Sequence, residues 1–125
     1  MGGDKKMATA ISTFNRGLTF VRTHLNKDIA LSHLAIFLEV CLHEGITMAY
    51  LAEKLDLPQA SVSRSTKELC KYVEKDLKTG EKKLLGYDLI RTEPDLEERR
   101  RLVLFLTPKG KQIKESLEKY LEEGS

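Results

Sequence analysis

The stretch Thr47–Val73, TMAYLAEKLDLPQASVSRSTKELCKYV, constrains this chain more than any other. Leu51, Ala52 and Leu55 give a first helix one apolar face, at the i, i+3/i+4 spacing that helices use. Asp56-Leu57 interrupts the pattern, and Pro58 sits where proline is tolerated, in the first turn of a new helix. On that second helix Val62, Leu69 and Val73 fall on the inner face, with Thr66 filling the gap. The opposite face carries Ala60, Ser63, Arg64, Lys67 and Lys71. Two helices with so short a joint have helix-turn-helix spacing. Ala52 is small where the helices pass closely, Leu57 plugs the turn and Val62 anchors the second helix. Asp56 occupies the position often taken by glycine, and aspartate tolerates the left-handed region better than most residues.

A small, hydroxylated and basic helix face suits the major groove of duplex DNA. Arginine and lysine reach phosphates or guanine edges, and serine reaches phosphate or base. The candidate contacts on this helix are Gln59, Ala60, Ser61, Ser63, Arg64, Lys67 and Lys71. Ala60, Ser63 and Arg64 are placed for base edges, Lys67 and Lys71 for phosphates. A helical hairpin with a solvated basic face gives the same local pattern. Overall charge does not decide between them, being only +2 over 125 residues. Its distribution is more telling. From Arg64 to Lys83, seven Lys/Arg (64, 67, 71, 75, 78, 82, 83) stand against four Asp/Glu (68, 74, 76, 81), an excess of three.

The length predicts one domain. Residues 1–6, MGGDKK, read as a disordered lead or tag, and residues 7–125 as a single domain. From Met7 to Leu25 the residues Ile11, Phe14, Leu18, Val21 and Leu25 recur at steps of 3, 4, 3 and 4, a helix with a narrow seam. Gly17 beside that seam costs about 1 kcal/mol of helix stability relative to alanine, which suggests close packing. Asn26-Lys27-Asp28 is a linker. Ser32 is expected to cap a helix whose inner face is Leu34, Phe37, Leu38 and Cys41 and which ends at Gly45. Ile46-Thr47 then makes a short bridge, with Thr47 as the next cap.

Beyond the second helix of the motif, Glu74–Gly86 reads as an extended helix end followed by a basic loop with a turn at Thr79-Gly80. It is either a solvated surface insertion or an added phosphate contact. Leu89–Glu93 and Arg101–Leu106 read as antiparallel strands, with Leu102, Leu104 and Leu106 alternating on one face. A hairpin directly after a recognition helix is a wing. Arg99 and Arg100, with Arg101 at the strand start, are long enough to enter a minor groove. The other reading pairs these arginines with Glu97 and Glu98. Thr107-Pro108 opens a last helix with the stripe Ile113, Leu117, Tyr120 and Leu121.

In this order of elements, the chain from about Leu34 to Leu117 resembles the MarR-type winged-helix family of bacterial transcription regulators. The most specific piece is LIRTEPDLEERRRLVLFLTPKG, Leu89–Gly110, similar to the family's wing and its Leu-Thr-Pro-Lys-Gly entry into the next helix. The family's acid-x-Arg wing motif matches Glu98-Arg99-Arg100, with glutamate in place of the usual aspartate. The resemblance implies that Glu98 orients the wing, that Arg100 reaches the minor groove, and that terminal helices dimerise the protein. Two departures stand out: Tyr72–Gly86 reads as an insertion, and the C-terminal helix reads as short, without the family's final helix.

The expected fold class is mainly α with a small β-hairpin, a winged helix-turn-helix. The expected partners are double-stranded DNA and a second copy of the chain, and the expected role is that of a dimeric repressor. A winged helix that binds protein is the alternative. No catalytic constellation, cofactor motif or metal-ligand spacing is present, so neither enzyme activity, cofactor nor metal is expected. Nothing in the sequence supports a small-molecule effector. Cys41 and Cys70 lie far apart in sequence, a usage expected of cytosolic proteins. There is no signal-peptide pattern and no long apolar run, and a cytoplasmic protein without a membrane partner is expected.

Overall fold

In a computed structural model, the structure describes residues 2–123, with side chains from residue 9. The order of elements is α1 (Gly2–His24), α2 (Leu31–Leu42), β1 (Ile46–Thr47), α3 (Met48–Leu55), α4 (Gln59–Leu69), β2 (Tyr72–Lys75), β3 (Lys82–Leu85), β4 (Ile90–Pro94), β5 (Leu102–Leu106) and α5 (Pro108–Glu123). Residues 2–6, expected as a disordered lead ahead of a helix from Met7, belong to α1, and their side chains lie outside the described residues. The chain divides into two compact units, Ala30–Lys111 and Met1–Ile29 with Gln112–Ser125.

The larger unit is built on α2, α3, α4 and a three-stranded antiparallel sheet in the order β1-β5-β4. Its core holds Ile36, Phe37, Val40, Leu51, Val62, Leu69, Leu89, Ile90 and Leu104, all buried. Period-2 alternation sends Leu104 and Leu106 inward, while Leu102 stays partly exposed. Thr47 caps α3 as expected, its hydroxyl accepting from the Tyr50 N–H at 3.0 Å. Asp56 takes the left-handed conformation, φ 52°, ψ 51°, that the helix-turn-helix joint requires. Pro58 stands one residue before α4, at the N-cap, where its fixed φ of −60° suits the turn.

Three expectations are corrected. Ala30, not Ser32, is the N-cap of α2, and Ser32 lies inside the helix. Ile36 also joins the core, while Leu38 is half exposed.

The second correction is that α4 stops at Leu69, so neither Lys71 nor Val73 lies on it. The reason is tertiary. In a longer helix the carbonyls of Glu68 and Leu69 would accept from residues 72 and 73. Instead they accept from Tyr87 N–H at 3.0 Å and Leu89 N–H at 2.9 Å, on the returning chain. Val73 is consequently exposed on a strand rather than packed inside.

The third is that Glu74–Gly86 is not a helix end and loop. It belongs to a second antiparallel hairpin, with Tyr72 opposite Leu85 and Lys75 opposite Lys82. Its turn is ordered by Asp76, whose carboxylate accepts from the N–H of Lys78 at 2.8 Å. The backbone N–H of Asp76 in turn donates to the Glu81 carbonyl at 2.8 Å.

In the smaller unit, Phe20 and Val21 of α1 are buried. The Phe20 ring lies 5.5 Å from that of Tyr120. Arg16 donates to the Tyr120 carbonyl at 2.8 Å while its guanidinium covers the same ring. A Cβ on Gly17 would meet Leu121 at 3.7 Å, an ordinary contact, so packing does not demand glycine there. Ile11 and Phe14, at the head of the seam, remain 70% and 68% exposed.

Candidate nucleic-acid interface

Helix α4 buries Val62, Ser65, Thr66 and Leu69, at the spacing of one helical face. That burial turns Gln59, Ala60, Ser63, Arg64 and Lys67 outward, all of them exposed, with Ser61 half-buried at the margin. Ser65 is an inner residue that the sequence pattern did not single out. Pairing of β4 with β5 brings Pro94 opposite Leu102 and closes the wing loop beside the start of α4.

The result is a groove of about 420 Å³ walled by Gln59, Ala60 and Ser63 on one side and Arg100, Arg101 and Leu102 on the other. Met48 and Ala49, in the first turn of α3, complete the wall. Residues about 40 apart in sequence thus face one another. Met48, Ala49 and Leu102 were not foreseen as part of this surface. The Thr47 cap marks where α3 starts but not what its first turn faces, so no local signal pointed to them.

Arg64 and Lys67 lie on the outer face of α4 but not in the groove wall. The Lys67 ammonium sits 5.0 Å from the centre of the Tyr72 ring. Lys71 is exposed in the link to β2. Glu98 and Arg99 are exposed at the wing tip, outside the groove wall.

Within the wing, the acid that holds the loop by its side chain is Asp95. Its carboxylate accepts from the Glu97 N–H at 3.1 Å and from Arg101 Nε at 2.8 Å, and it forms an ion pair with Arg101. The Asp95 N–H donates to the Arg101 carbonyl at 2.8 Å, which closes the loop. Glu98 contributes its backbone carbonyl, which accepts from the Arg101 N–H at 2.9 Å. Arg101 is therefore committed to the loop, and among the described residues Arg99 and Arg100 form no ion pair with Glu97 or Glu98.

The Glu97 N–H, and after it the Arg101 guanidinium, hold the Asp95 carboxyl below the usual carboxylate range. A lowered folded-state value means that this contribution to loop order is present above the unfolded value of about 4 and is lost as pH falls through the folded one. In an NMR titration the Glu97 amide should therefore move with a midpoint below about pH 4. A midpoint at or above that value contradicts the loop geometry.

No family model and no curated protein matches the sequence. Solved structures do. RV1404 from Mycobacterium tuberculosis superposes with a TM-score of 0.68 at 16% identity, over 97% of this chain and 71% of that one. A MepR variant from S. aureus, bound to an oligodeoxyribonucleotide, gives 0.66 at 17% identity, over 98% and 78%. Wild-type MarR from E. coli, in its apo form, gives 0.58 at 14% identity, over 95% and 75%. The chain has the MarR-type winged-helix fold.

Around this MarR fold, α2 and α4 are tied by a hydrogen bond between the His33 ring Nε2 and the Glu68 carboxylate. It sits one helical turn below Arg64 and next to Lys67, and so fixes the outer half of α4 against the unit's core. Cys70, which ends α4, has its thiol pushed up by burial and by the nearby Asp88 carboxylate. A raised thiol is a poor nucleophile, which argues against a redox role at that position. Among the described residues no group of three or more His, Cys, Asp or Glu is placed to hold a metal ion, and no helix is long and apolar enough to cross a membrane.

Proposed function

We propose that this protein is a sequence-specific binder of double-stranded DNA that regulates transcription, acting as a dimeric repressor by occluding its operator. The observation that carries the reading is the groove in which Gln59, Ala60 and Ser63 of α4 face Arg100 and Arg101 of the wing. Small and hydroxylated side chains let α4 approach base edges, and Arg100 of the wing adds the phosphate or minor-groove contact. Its resemblance in fold to the MepR variant bound to an oligodeoxyribonucleotide supports the same reading. The exposed Ile11 and Phe14 on α1 support a homodimer through the terminal helices. Two recognition helices would then enter successive major grooves about one helical turn apart on a pseudo-palindrome.

The test is selection of bound duplexes from a random pool, followed by titration against the selected and a random duplex. A symmetric motif is expected. Arg64→Ala should weaken binding to the selected site by roughly 1–3 kcal/mol, and binding to random duplex by less, if Arg64 makes a bidentate base contact. Equal losses on both would reduce Arg64 to a phosphate contact. A solution mass of one chain across micromolar concentrations would remove the dimer.

A further inference from the structure

We infer that the β2–β3 hairpin is a second DNA-binding arm, which grips backbone phosphates flanking the base pairs read by α4 through Lys75 and Lys82. The inference rests on the DNA-binding reading above and extends it to an element that the groove does not include.

The argument begins with strand alternation. Side chains of paired strands that lie directly opposite share a face. The register therefore puts Val73 with Leu84 and Lys75 with Lys82 on one face, and Tyr72 with Leu85 and Glu74 with Lys83 on the other. The bond from Asp76 N–H to the Glu81 carbonyl extends that second face by one pair. All three carboxylates of the hairpin, Glu74, Asp76 and Glu81, thus sort to the face of Tyr72. The opposite face carries two lysines, two apolar side chains and no acid.

The two faces also differ in what they meet. Tyr72 and Leu85 line a cleft with Glu68, Gly86 and Tyr87, against the end of α4. The Lys67 ammonium covers the Tyr72 ring. Val73 and Leu84, by contrast, are 58% and 64% exposed. At its base the face of Tyr72 is turned towards the unit and that of Val73 away from it, while the three carboxylates further out are exposed.

Two lysines directly opposite each other repel, so the isolated hairpin bears a cost that an anionic partner would relieve. A second copy of the same face would bring four lysines together and is disfavoured. The occupant must therefore be anionic. Duplex DNA is the anion for which the neighbouring groove is suited, and the chain between the groove and the arm is cationic, with Arg64, Lys67 and Lys71 exposed. The arm is also anchored at both ends. The Cys70 N–H is bound to Thr66 and Lys67 carbonyls, and Tyr87 and Leu89 N–H groups are bound to Glu68 and Leu69 carbonyls. Asp76 orders the tip. An arm held in this way loses little freedom when it binds.

Fluorescence-anisotropy titrations with a selected duplex and a random duplex of equal length, repeated across salt concentrations, test the arm. For Lys75→Glu/Lys82→Glu, the slope of log affinity against log salt should shrink by about two units. Affinity should fall alike on both duplexes, leaving the preference for the selected site intact. Lys75→Ala/Lys82→Ala should show the same slope change with a melting temperature equal to the parent's or higher, because a repulsive pair is gone. That separates lost phosphate contacts from lost folding. If both variants keep the parent's affinity and slope, the arm does not hold DNA, as when its partner is an acidic protein, and the inference is overturned while the groove reading stands. If the parent binds neither duplex, the groove reading fails and takes the arm with it.

Discussion

Gly110→Ala is expected to destabilise the larger unit by about 3 kcal/mol, at the upper end of what overpacking costs. A Cβ on Gly110 would strike the carbonyl oxygen of Leu89 well inside van der Waals contact, with the Leu89 carbonyl carbon at 3.1 Å and Leu106 Cβ at 3.4 Å. The obstacle is backbone, and it has little room to yield. The Leu89 carbonyl accepts from the Thr107 N–H at 3.1 Å. The Thr107 hydroxyl donates to the Asp88 carbonyl at 2.6 Å and accepts from the Gly110 N–H at 2.9 Å. Moving α5 away from β4 strains or breaks the two bonds that cross to Asp88 and Leu89, and a hydrogen bond is worth about 1 kcal/mol net. Gly80→Ala is the contrast. Gly80 has φ of 75° but open space around it, so only the left-handed strain of about 1–2 kcal/mol applies. Urea unfolding measures both. A Gly110→Ala midpoint equivalent to a loss under about 1 kcal/mol would show that the α5 start can shift off β4 cheaply.

Arg100→Ala is expected to lower DNA affinity, flatten any preference for A·T-rich flanks and leave the major-groove preference intact. Arg100 lines the groove opposite Ser63, while its neighbour Arg101 is held by Asp95. The narrow minor groove of A·T-rich DNA concentrates negative potential, and an arginine without a carboxylate partner enters it without first breaking an ion pair. The salt slope should shrink by about one unit if one phosphate contact is lost with it. Arg101→Ala should act differently. It removes one of the two groups that hold the Asp95 carboxyl low and loosens the loop, so that the midpoint of the Glu97 amide titration should rise towards the usual carboxylate range. Glu98→Ala should do less than either, since only its backbone carbonyl takes part in the loop. Equal binding by Arg100→Ala and parent at every salt concentration would remove the wing from the interface and favour a protein-binding winged helix.

The wing shows where motif matching and geometry part company. The acid-x-Arg pattern points to Glu98, three residues away from the acid that closes the loop. Asp95 follows Pro94 directly and stands six residues before Arg101, a spacing that no local motif marks. Only the pairing of Pro94 with Leu102 brings the two side chains together.

Periodicity by itself determined the local elements whose stability is local. The inner stripe of α4 at Val62, Thr66 and Leu69, the Thr47 cap, the left-handed Asp56 and the alternation of Leu104 and Leu106 follow from residues within a few positions of one another. So does the outward set Ala60, Ser63, Arg64 and Lys67, which is the complement of that stripe. The tertiary structure decided what depends on distant backbone. Helix α4 ends at Leu69 because Tyr87 and Leu89 take the carbonyls that a longer helix would have used. Once they do, Lys71 and Val73 leave the helix, and Tyr72–Leu85 can pair with itself as a ribbon. The groove likewise exists only when β4 and β5 return Arg100 and Arg101 to the start of α4. A helix's end is set by whichever donor reaches its last carbonyls, and here those donors lie about 20 residues further along the chain, beyond the reach of any local pattern.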